Sequence, residues 1–278
     1  MAAEVRPQVG PLRGGATMTI HLDHWPPGTP AWADITVPDL QIARDFYGGL
    51  FGWEFEVGGP ETGGYTQALV DGHRVVGLSE PMGEEPAPPP AWCLYLATED
   101  VEAATERAQG LGAQVIFPVM QVMGFGRMAI LTDPTGAVFG LWEPGTHNGW
   151  QVVDEPGSPA WSELMSHDQP AAVTFYTRLF DLTTEDMSTD GFQYASLHHD
   201  GAAVVGVGGY GESVDAAVPA AWTLYFSAAD VDASVARVVE GGGSVVRPPE
   251  DTPYGRLALV AGPFGEVFAL IESDAASV

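Results

Sequence analysis

The sequence predicts an α+β protein of two tandem domains, each made of a pair of βαβββ units. The first observation is a long internal repeat, because residues 32–53 return as residues 161–182, at an offset of 129. The segments 91–104 and 133–143 return at nearly the same offset. The second observation is an aspartate that closes an apolar strand and opens a helix twice in each copy, at Asp39, Asp100, Asp168 and Asp230. A self-similarity of this length indicates a duplicated domain.

The first unit shows the element order most clearly. Alternation over residues 31–37 predicts a strand that places Trp32 and Asp34 on one face. Asp39 is a good N-cap for the helix that follows, to about residue 48. Three strands then follow, and Asp71-Gly72 is typical of a two-residue hairpin turn between the last two. The expected strands and helices of the first half are 31–37, 39–48, 53–57, 65–70, 73–78, 91–97, 100–110, 114–117, 127–132 and 137–142.

Breaks in the repeat set the domain boundaries. Proline and glycine disfavour regular structure in the stretches between the copies and before the first strand. We expect a flexible N-terminal tail, two domains, a linker and a short C-terminal tail, at residues 1–29, 30–144, 145–159, 160–273 and 274–278.

The amino-acid composition limits the kinds of partner and the kinds of chemistry that this protein can have. The 278 residues include 37 acidic and 10 basic side chains, for a net charge of −27, and none of the basic ones is lysine. Such a charge disfavours nucleic acid and anionic membrane surfaces as partners. The absence of lysine excludes Schiff-base chemistry and a P-loop. Cys93 is the single cysteine, which excludes an intrachain disulfide. We expect a cytoplasmic protein, a monomer or homodimer, whose partner is a small molecule.

The motifs of both halves resemble one known family. The sequence DL…FY…LFGW in the first unit and DPTGAVFGLWE at the end of the first domain are similar to those of the vicinal oxygen chelate superfamily. This superfamily includes glyoxalases, bleomycin-resistance proteins and extradiol dioxygenases. The resemblance covers residues 30 to 273. It implies that each pair of units forms a cup-shaped, partly open barrel, with the helices outside and the ligand inside.

The resemblance also implies where a metal would be held. In the family, His, Gln or Glu ligands lie on the opening strand of each unit and on the last strand. The matching positions here are Trp32, Cys93 and Gly140 in the first domain, and Trp161, Thr223 and Ala269 in the second. A divalent ion needs several oxygen or nitrogen ligands that converge on one point. On this resemblance we expect no metal and no other cofactor.

Two carboxylates are the candidate catalytic groups. Asp34 and Glu163 follow Trp32 and Trp161 by two residues, so each acid shares a strand face with its tryptophan. A carboxylate among tryptophans is desolvated, which raises its pKa and favours a general acid or base near neutral pH. The alternative is a structural carboxylate held by backbone amides or arginine. His167, four residues beyond Glu163, is a candidate proton shuttle or a solvated residue at the strand end.

The candidate substrate-binding residues are aromatic, amide and guanidinium side chains that the pattern places on the cup faces. The tryptophans either stack on a flat ligand or fill the core. The two arginines either bind an anionic or phenolic oxygen or neutralise the acids. The set is Trp32, Gln67, Tyr95, Arg127 and Trp142 in the first domain, and Trp161, Tyr194, Tyr225 and Arg256 in the second.

Three classes of function fit these residues. The first is a metal-independent enzyme of secondary metabolism, a lyase or cyclase that uses an inward carboxylate for cyclisation, dehydration or ring opening of a bulky aromatic molecule. The second is a protein that binds and sequesters a small molecule such as an antibiotic, without chemistry. The third is a metal-dependent glyoxalase-like lyase or extradiol-type dioxygenase.

Overall fold

The structure is a computed structural model that describes residues 18–81, 83 and 88–272. In the first domain a short 3₁₀-helix, Pro60–Thr62, follows the second strand. The first-domain elements are β1 (Pro30–Thr36), α1 (Leu40–Phe51), β2 (Glu54–Val57), β3 (Thr66–Val70), β4 (His73–Ser79), β5 (Trp92–Ala97), α2 (Val101–Gly110), β6 (Gln114–Val122), β7 (Gly126–Thr132) and β8 (Val138–Pro144).

The second domain repeats this order element by element. Its elements are β9 (Pro159–Ser166), α3 (Gln169–Phe180), β10 (Thr183–Asp186), β11 (Tyr194–His199), β12 (Ala202–Gly209), β13 (Ala221–Ser227), α4 (Val231–Glu240), β14 (Ser244–Thr252), β15 (Gly255–Ala261) and β16 (Val267–Glu272).

Each domain forms one open sheet of eight strands. The strand order is β2-β3-β4-β1-β5-β8-β7-β6 in the first sheet, and the second sheet has the equivalent order. The opening strands β1 and β5 of the two units are antiparallel neighbours at the centre, and each is flanked by a parallel strand of its own unit. The predicted fold class, paired βαβββ units in two tandem cup-shaped domains, is confirmed.

Strand register decides which side chains face the helices. Asp39 caps α1 by accepting hydrogen bonds from the backbone N–H groups of its first turn, as an N-cap aspartate does. Tyr47 of α1 lies against Trp92, with ring centres 5.7 Å apart. Trp92 pairs with Ile35, whereas Asp34 pairs with Cys93 on the neighbouring positions. Because alternate residues face opposite sides, Asp34 lies on the helix-free face. We call the helix-free faces of the first and second sheets the first cup and the second cup.

The helix-bearing faces of the two sheets pack against each other in one continuous core. Trp92 of the first sheet and Phe226 of the second are in edge contact, with ring centres 5.5 Å apart. Tyr47 of α1 reaches across to the second domain, where its hydroxyl donates to Glu266 Oε1 at 2.8 Å. In the opposite direction, the hydroxyl of Tyr176 of α3 donates to Asp133 Oδ2 of the first domain at 3.0 Å. The cups therefore face outward on opposite sides of the molecule.

The described parts of the expected tail and linker pack against the rest of the protein. Of the expected N-terminal tail, residues 1–17 lie outside the described residues, as do the C-terminal residues 273–278. Residues 18–29 pack on the first domain: the His21 N–H donates to the Gln151 carbonyl, and the Gly28 N–H to the Ala97 carbonyl. The first nine residues of the expected linker, 145–153, also lie against the first sheet. Among the helices of the described residues, none has the length and apolar character that crossing a bilayer requires.

Candidate functional site

A hydrogen-bonded network lies on the floor of the first cup. The Trp32 indole N–H donates to the Tyr65 hydroxyl at 2.9 Å, and that hydroxyl donates to Asp34 Oδ2 at 3.2 Å. From the adjacent strand, the Tyr95 hydroxyl lies 3.3 Å from both oxygens of Asp34. The carboxylate is thus bracketed by two phenols, one of which is held in place by an indole.

The second cup repeats the network with a longer acid. The Trp161 indole N–H donates to the Tyr194 hydroxyl at 3.3 Å. The Tyr225 hydroxyl donates to Glu163 Oε1 at 3.1 Å. We call these two arrangements the first and second acid networks. Each consists of one tryptophan, one acid and two tyrosines; Tyr65 lies directly before β3, whereas Tyr194 is the first residue of β11.

A glycine next to each acid makes room for one of the phenols. A Cβ added at Gly77 would clash with the Tyr65 hydroxyl, and one at Gly206 would clash with the Tyr194 hydroxyl. Gly77 and Gly206 are the cross-strand partners of Asp34 and Glu163. The glycines therefore let the tyrosine lie flat across the sheet, with its hydroxyl beside the carboxylate.

Burial raises the pKa of the carboxylic acid in both networks. Desolvation raises the pKa of Asp34 to about 7, against the opposing effect of hydrogen bonds from Tyr65 and Tyr95. Desolvation also raises the pKa of Glu163 above its usual range, again opposed by its two tyrosines. The pKa of Tyr225 rises because of burial and the neighbouring carboxylate. The phenols therefore stay protonated as donors, while the acids can exchange a proton closer to neutral pH.

The first cup is plugged by the chain itself. The plug, residues 145–153, is inserted where β1 and β4 begin: the Trp150 N–H donates to the Ala31 carbonyl at 2.7 Å, and the Gln151 N–H to the Arg74 carbonyl at 3.0 Å. The N-terminal segment covers the plug from outside, since the Trp25 indole N–H donates to the Trp150 carbonyl at 3.1 Å.

A histidine of the plug contacts both tryptophans of the first cup. The His147 ring lies edge-on to Trp32, with ring centres 4.4 Å apart, and 5.6 Å from that of Trp142. The Trp142 indole N–H donates to the His147 carbonyl at 2.9 Å. Trp32 and Trp142 are consequently only 3 % and 5 % exposed. In this structure both tryptophans are packed against the plug.

Among the described residues, Trp161 of the second cup is less covered than Trp32 of the first. The apolar floor of the second cup is a cluster separate from the main core, formed by Tyr225, Leu257, Ala269 and Ile271 with the partly exposed Trp161 packed beside them. Within the described residues, the cluster contains side chains of the second sheet alone. Glu163 and Tyr194 are also partly exposed. Within the described residues, the indole, the acid and one phenol of the second network are therefore all partly exposed, whereas in the first network the indole is buried and only Asp34 and Tyr65 are partly exposed.

His167 lies at the rim of the second cup, away from the acid. Its side chain is exposed, and its Nε2 lies 3.0 Å from the Val218 carbonyl. The ring packs on Tyr210, with ring centres 4.8 Å apart. These contacts tie the end of β9 to the loop after β12 and show no hydrogen bond from His167 to Glu163 among the described residues.

The two arginines are not on the cup faces, which corrects the placement inferred from the sequence. Arg127 is the cross-strand partner of Glu143, and its guanidinium pairs with Glu102 in the first turn of α2. Arg256 pairs in the same way with Asp232 in the first turn of α4. Their strand neighbours face the cup instead, because alternation places adjacent residues on opposite sides. Neither arginine neutralises Asp34 or Glu163.

The remaining candidates share the cup faces. Gln67 lies on β3 opposite Gly77, the cross-strand partner of Asp34, and is partly buried. Tyr95 and Tyr225 hydrogen-bond the acids, as described above.

Sequence reasoning missed four residues of the cups. Tyr65 was detectable, because it precedes Tyr194 by the 129-residue offset of the repeat. His147 and Trp150 lie in a glycine-containing stretch that resembles a linker. Arg247 lies on β14 beside two register shifts, which hide the alternation that would place it at the mouth of the second cup.

The donor groups do not fit the metal that the resemblance implies. Trp32, Cys93 and Gly140 stand at the family's ligand positions in the first cup, and burial raises the pKa of the Cys93 thiol, which keeps it protonated. Each acid network contains one carboxylate and no imidazole. The described residues contain no group of three His, Cys, Asp or Glu side chains that could hold an ion. A divalent cation needs a fuller set of oxygen or nitrogen ligands.

The fold and the two acid networks define a two-domain protein with a cup in each domain. Residues 29–141 and 158–270 each match the model of the Glyoxalase/Bleomycin resistance protein/Dioxygenase superfamily. The chain belongs to this superfamily.

Curated relatives cover nearly the whole chain. The anthracycline biosynthesis protein DnrV of Streptomyces peucetius is 38% identical over 259 residues, covering 88% of this chain and 94% of that protein. The putative glyoxylase CFP32 of Mycobacterium tuberculosis is 35% identical over 249 residues, covering 88% and 95%. Among solved structures, the Mn(II)-bound glyoxalase from Novosphingobium aromaticivorans superposes with a TM-score of 0.62 at 17% identity, covering 90% and 83%.

Proposed function

We propose that this chain is a metal-independent enzyme of secondary metabolism that acts on a bulky, flat aromatic molecule in the second cup. Glu163 serves as the general acid–base group. The observation that carries the proposal is the second acid network, whose Trp161 and Glu163 are partly exposed among the described residues, with Tyr225 beside Glu163 above an apolar floor. The similarity to an anthracycline biosynthesis protein supports a fused-ring aromatic compound as the substrate class.

The network is suited to moving a proton within a bound ligand. As a base, Glu163 removes a proton from the ligand, and as an acid it returns that proton at a second position. In a cyclisation the proton returns to the ligand and no atom is lost. In a dehydration it goes to the departing hydroxyl, which leaves as water. In a ring opening by water, Glu163 takes the proton of the attacking water and gives it to the leaving oxygen.

The tyrosines assist in different ways. Tyr225 donates a hydrogen bond to Glu163 and stabilises its charged form, opposing the effect of burial. Tyr194 is oriented by Trp161, whose partly exposed ring can contact a flat ligand. Holding the ligand and the acid in fixed relation supplies much of the rate enhancement expected of such a site.

The test compares amide variants of the two acids. Glu163→Gln is expected to lower kcat on an anthracycline precursor by about 100-fold or more, as loss of a general acid–base group does. Asp34→Asn, the matched change in the plugged cup, is expected to keep kcat within about threefold of the wild type. Mass spectrometry of the product distinguishes loss of water, gain of water and unchanged mass.

Chelator treatment is the control for metal chemistry in the same assay. Turnover is expected to survive dialysis against EDTA, because the cups lack a set of ligands that could hold an ion. Full activity of the Glu163→Gln enzyme would contradict the acid–base role. Activity that disappears with EDTA and returns with a divalent ion would contradict metal independence.

A second candidate function is sequestration of an aromatic ligand without turnover. The specific observation in its favour is the first acid network, which is complete in a cup whose tryptophans are covered by the plug. An acid network can therefore persist where no large ligand stacks. Under this alternative Trp161→Ala abolishes binding, whereas Glu163→Gln leaves the ligand chemically unchanged and bound.

A further inference from the structure

We infer that Arg247 is the specificity-determining residue of the second cup and that it recognises a negatively charged oxygen on the ligand. The substrate class would then be an aromatic acid, with a carboxylate at one end of a flat ring system. This inference rests on the proposed function, since it names the ligand of the same cup.

The register of the edge strand places Arg247 on the cup side. β14 is the last strand of the second sheet, and its Arg247 pairs with Leu259 of β15. Leu259 packs against the apolar floor formed by Tyr225 and Ala269. Side chains directly opposite each other in an antiparallel pair lie on the same face. Arg247 therefore stands at the edge of the floor, across the cup from β9 and Glu163.

The guanidinium of Arg247 is free to bind a ligand. Its Nε forms an ion pair with Glu250 at 3.2 Å, and its side chain is 50% exposed. Within the described residues its two terminal nitrogens make no hydrogen bond. Exposed pairs of this kind contribute little to stability, so a ligand carboxylate can engage the free nitrogens at small cost. Consistent with this placement, the charge of Arg247 lowers the pKa of both Glu163 and Tyr225.

The other half of the molecule provides an internal comparison. The equivalent residue in the first sheet is Phe117, which pairs with Ile130 as Arg247 pairs with Leu259. The open cup thus has a cation where the plugged cup has a phenyl ring. With a net charge of −27 on the chain, the surface as a whole repels anions. A local guanidinium offsets this repulsion and gives a bidentate fit to a carboxylate.

The test uses two probes of the same shape, anthraquinone-2-carboxylate and the neutral anthraquinone-2-carboxamide, titrated into the intact protein by calorimetry. The wild type is expected to bind the carboxylate about tenfold more tightly than the amide, the size of one charge-assisted hydrogen-bonded contact. Arg247→Gln is expected to remove this preference and leave the affinity for the amide unchanged. Arg256→Gln, the matched change on the helix-bearing face of the same sheet, is expected to retain the preference.

A wild type without the preference, or an Arg247→Gln protein that retains it, would overturn the inference. The Trp161→Ala variant shows whether a negative result concerns only the role of Arg247 or also the second cup as the binding site. If Trp161→Ala abolishes binding of both probes while Arg247→Gln changes nothing, the second cup remains the binding site and the role of Arg247 is wrong. If both probes bind the Trp161→Ala protein with wild-type affinity, the assignment of the second cup fails as well.

Discussion

Asp34 destabilises the folded protein when it is charged, because it is largely removed from water. Asp34 is enclosed by Trp32, Tyr65 and Tyr95, and desolvation raises its pKa to about 7. The pKa of an aspartate in the unfolded chain is about 4. The folded state therefore binds a proton more tightly than the unfolded state. The stability that this proton contributes is fully present below about pH 4 and is lost as the pH rises to about 7.

We predict that Asp34→Asn increases stability at high pH and has little effect at low pH. The amide cannot ionise, so it avoids burying a charge. The free energy of unfolding is expected to exceed that of the wild type by up to about 4 kcal/mol above pH 7, and by much less near pH 4. Urea unfolding at both pH values measures the difference. An equal effect at the two pH values would show that Asp34 does not titrate in this range.

At the scale of elements, the plug decides which cup is available. Residues 145–153 bury His147 and Trp150, which are 7% and 5% exposed. Desolvation by burial lowers the pKa of His147 to about 4, with a smaller contribution from the charge of Arg74. The imidazole is therefore neutral in the folded state. The effect of His147 on the pH dependence of stability is opposite to that of Asp34. Because its pKa is lowered by folding, the protein loses stability as the pH falls from about 6.5 towards 4.

We predict that Trp150→Ala unseats the plug and opens the first cup. Truncating a buried tryptophan is expected to lower the free energy of unfolding by about 3–5 kcal/mol. The faces of Trp32 and Trp142 should then become accessible, which acrylamide quenching of tryptophan fluorescence detects. His147→Ala, a smaller truncation of the same plug, is expected to act in the same direction. Unchanged quenching in both folded variants would contradict the plug.

Most elements were predictable, and the exceptions have identifiable causes. The helices after Asp39, Asp100, Asp168 and Asp230 were found because capping and apolar periodicity are local. The strand β6 extends to Val122, five residues beyond the predicted end, because the long β6–β7 hairpin stabilises it through cross-strand pairing. Arg127 and Arg256 were placed on the wrong face because hairpin register, rather than residue type, fixes the side of the sheet.

At the scale of the whole molecule, neither domain has a complete core. Phe51 and Trp53 at the end of α1 lie against Phe226 of the second sheet, with ring centres 5.0 and 5.5 Å away. The Trp53 indole N–H donates to the Gly157 carbonyl at 2.6 Å, which ties the connection between the domains to the first domain. Separating the halves would expose this aromatic surface to water.

We predict that residues 1–157 and 158–278 do not fold as separate monomers. The exposed aromatic face exceeds what a soluble monomer normally presents, so each half alone is expected to aggregate or to remain without fixed tertiary structure. Co-expression is expected to restore a one-to-one complex. Near-UV circular dichroism and size-exclusion chromatography measure both outcomes. Cooperative unfolding of either half alone, as a monomer, would contradict this prediction.

The sequence by itself determined the duplication, the βαβββ units and the pairing of an acid with a tryptophan on each opening strand. These features follow from local pattern and from spacing along the chain. Only the tertiary structure decided that residues 145–153 fill one cup, that Arg247 stands at the mouth of the other, and that Tyr47 and Tyr176 join the domains. Each of these depends on contacts between segments distant in sequence, which are set by packing and register rather than by local composition.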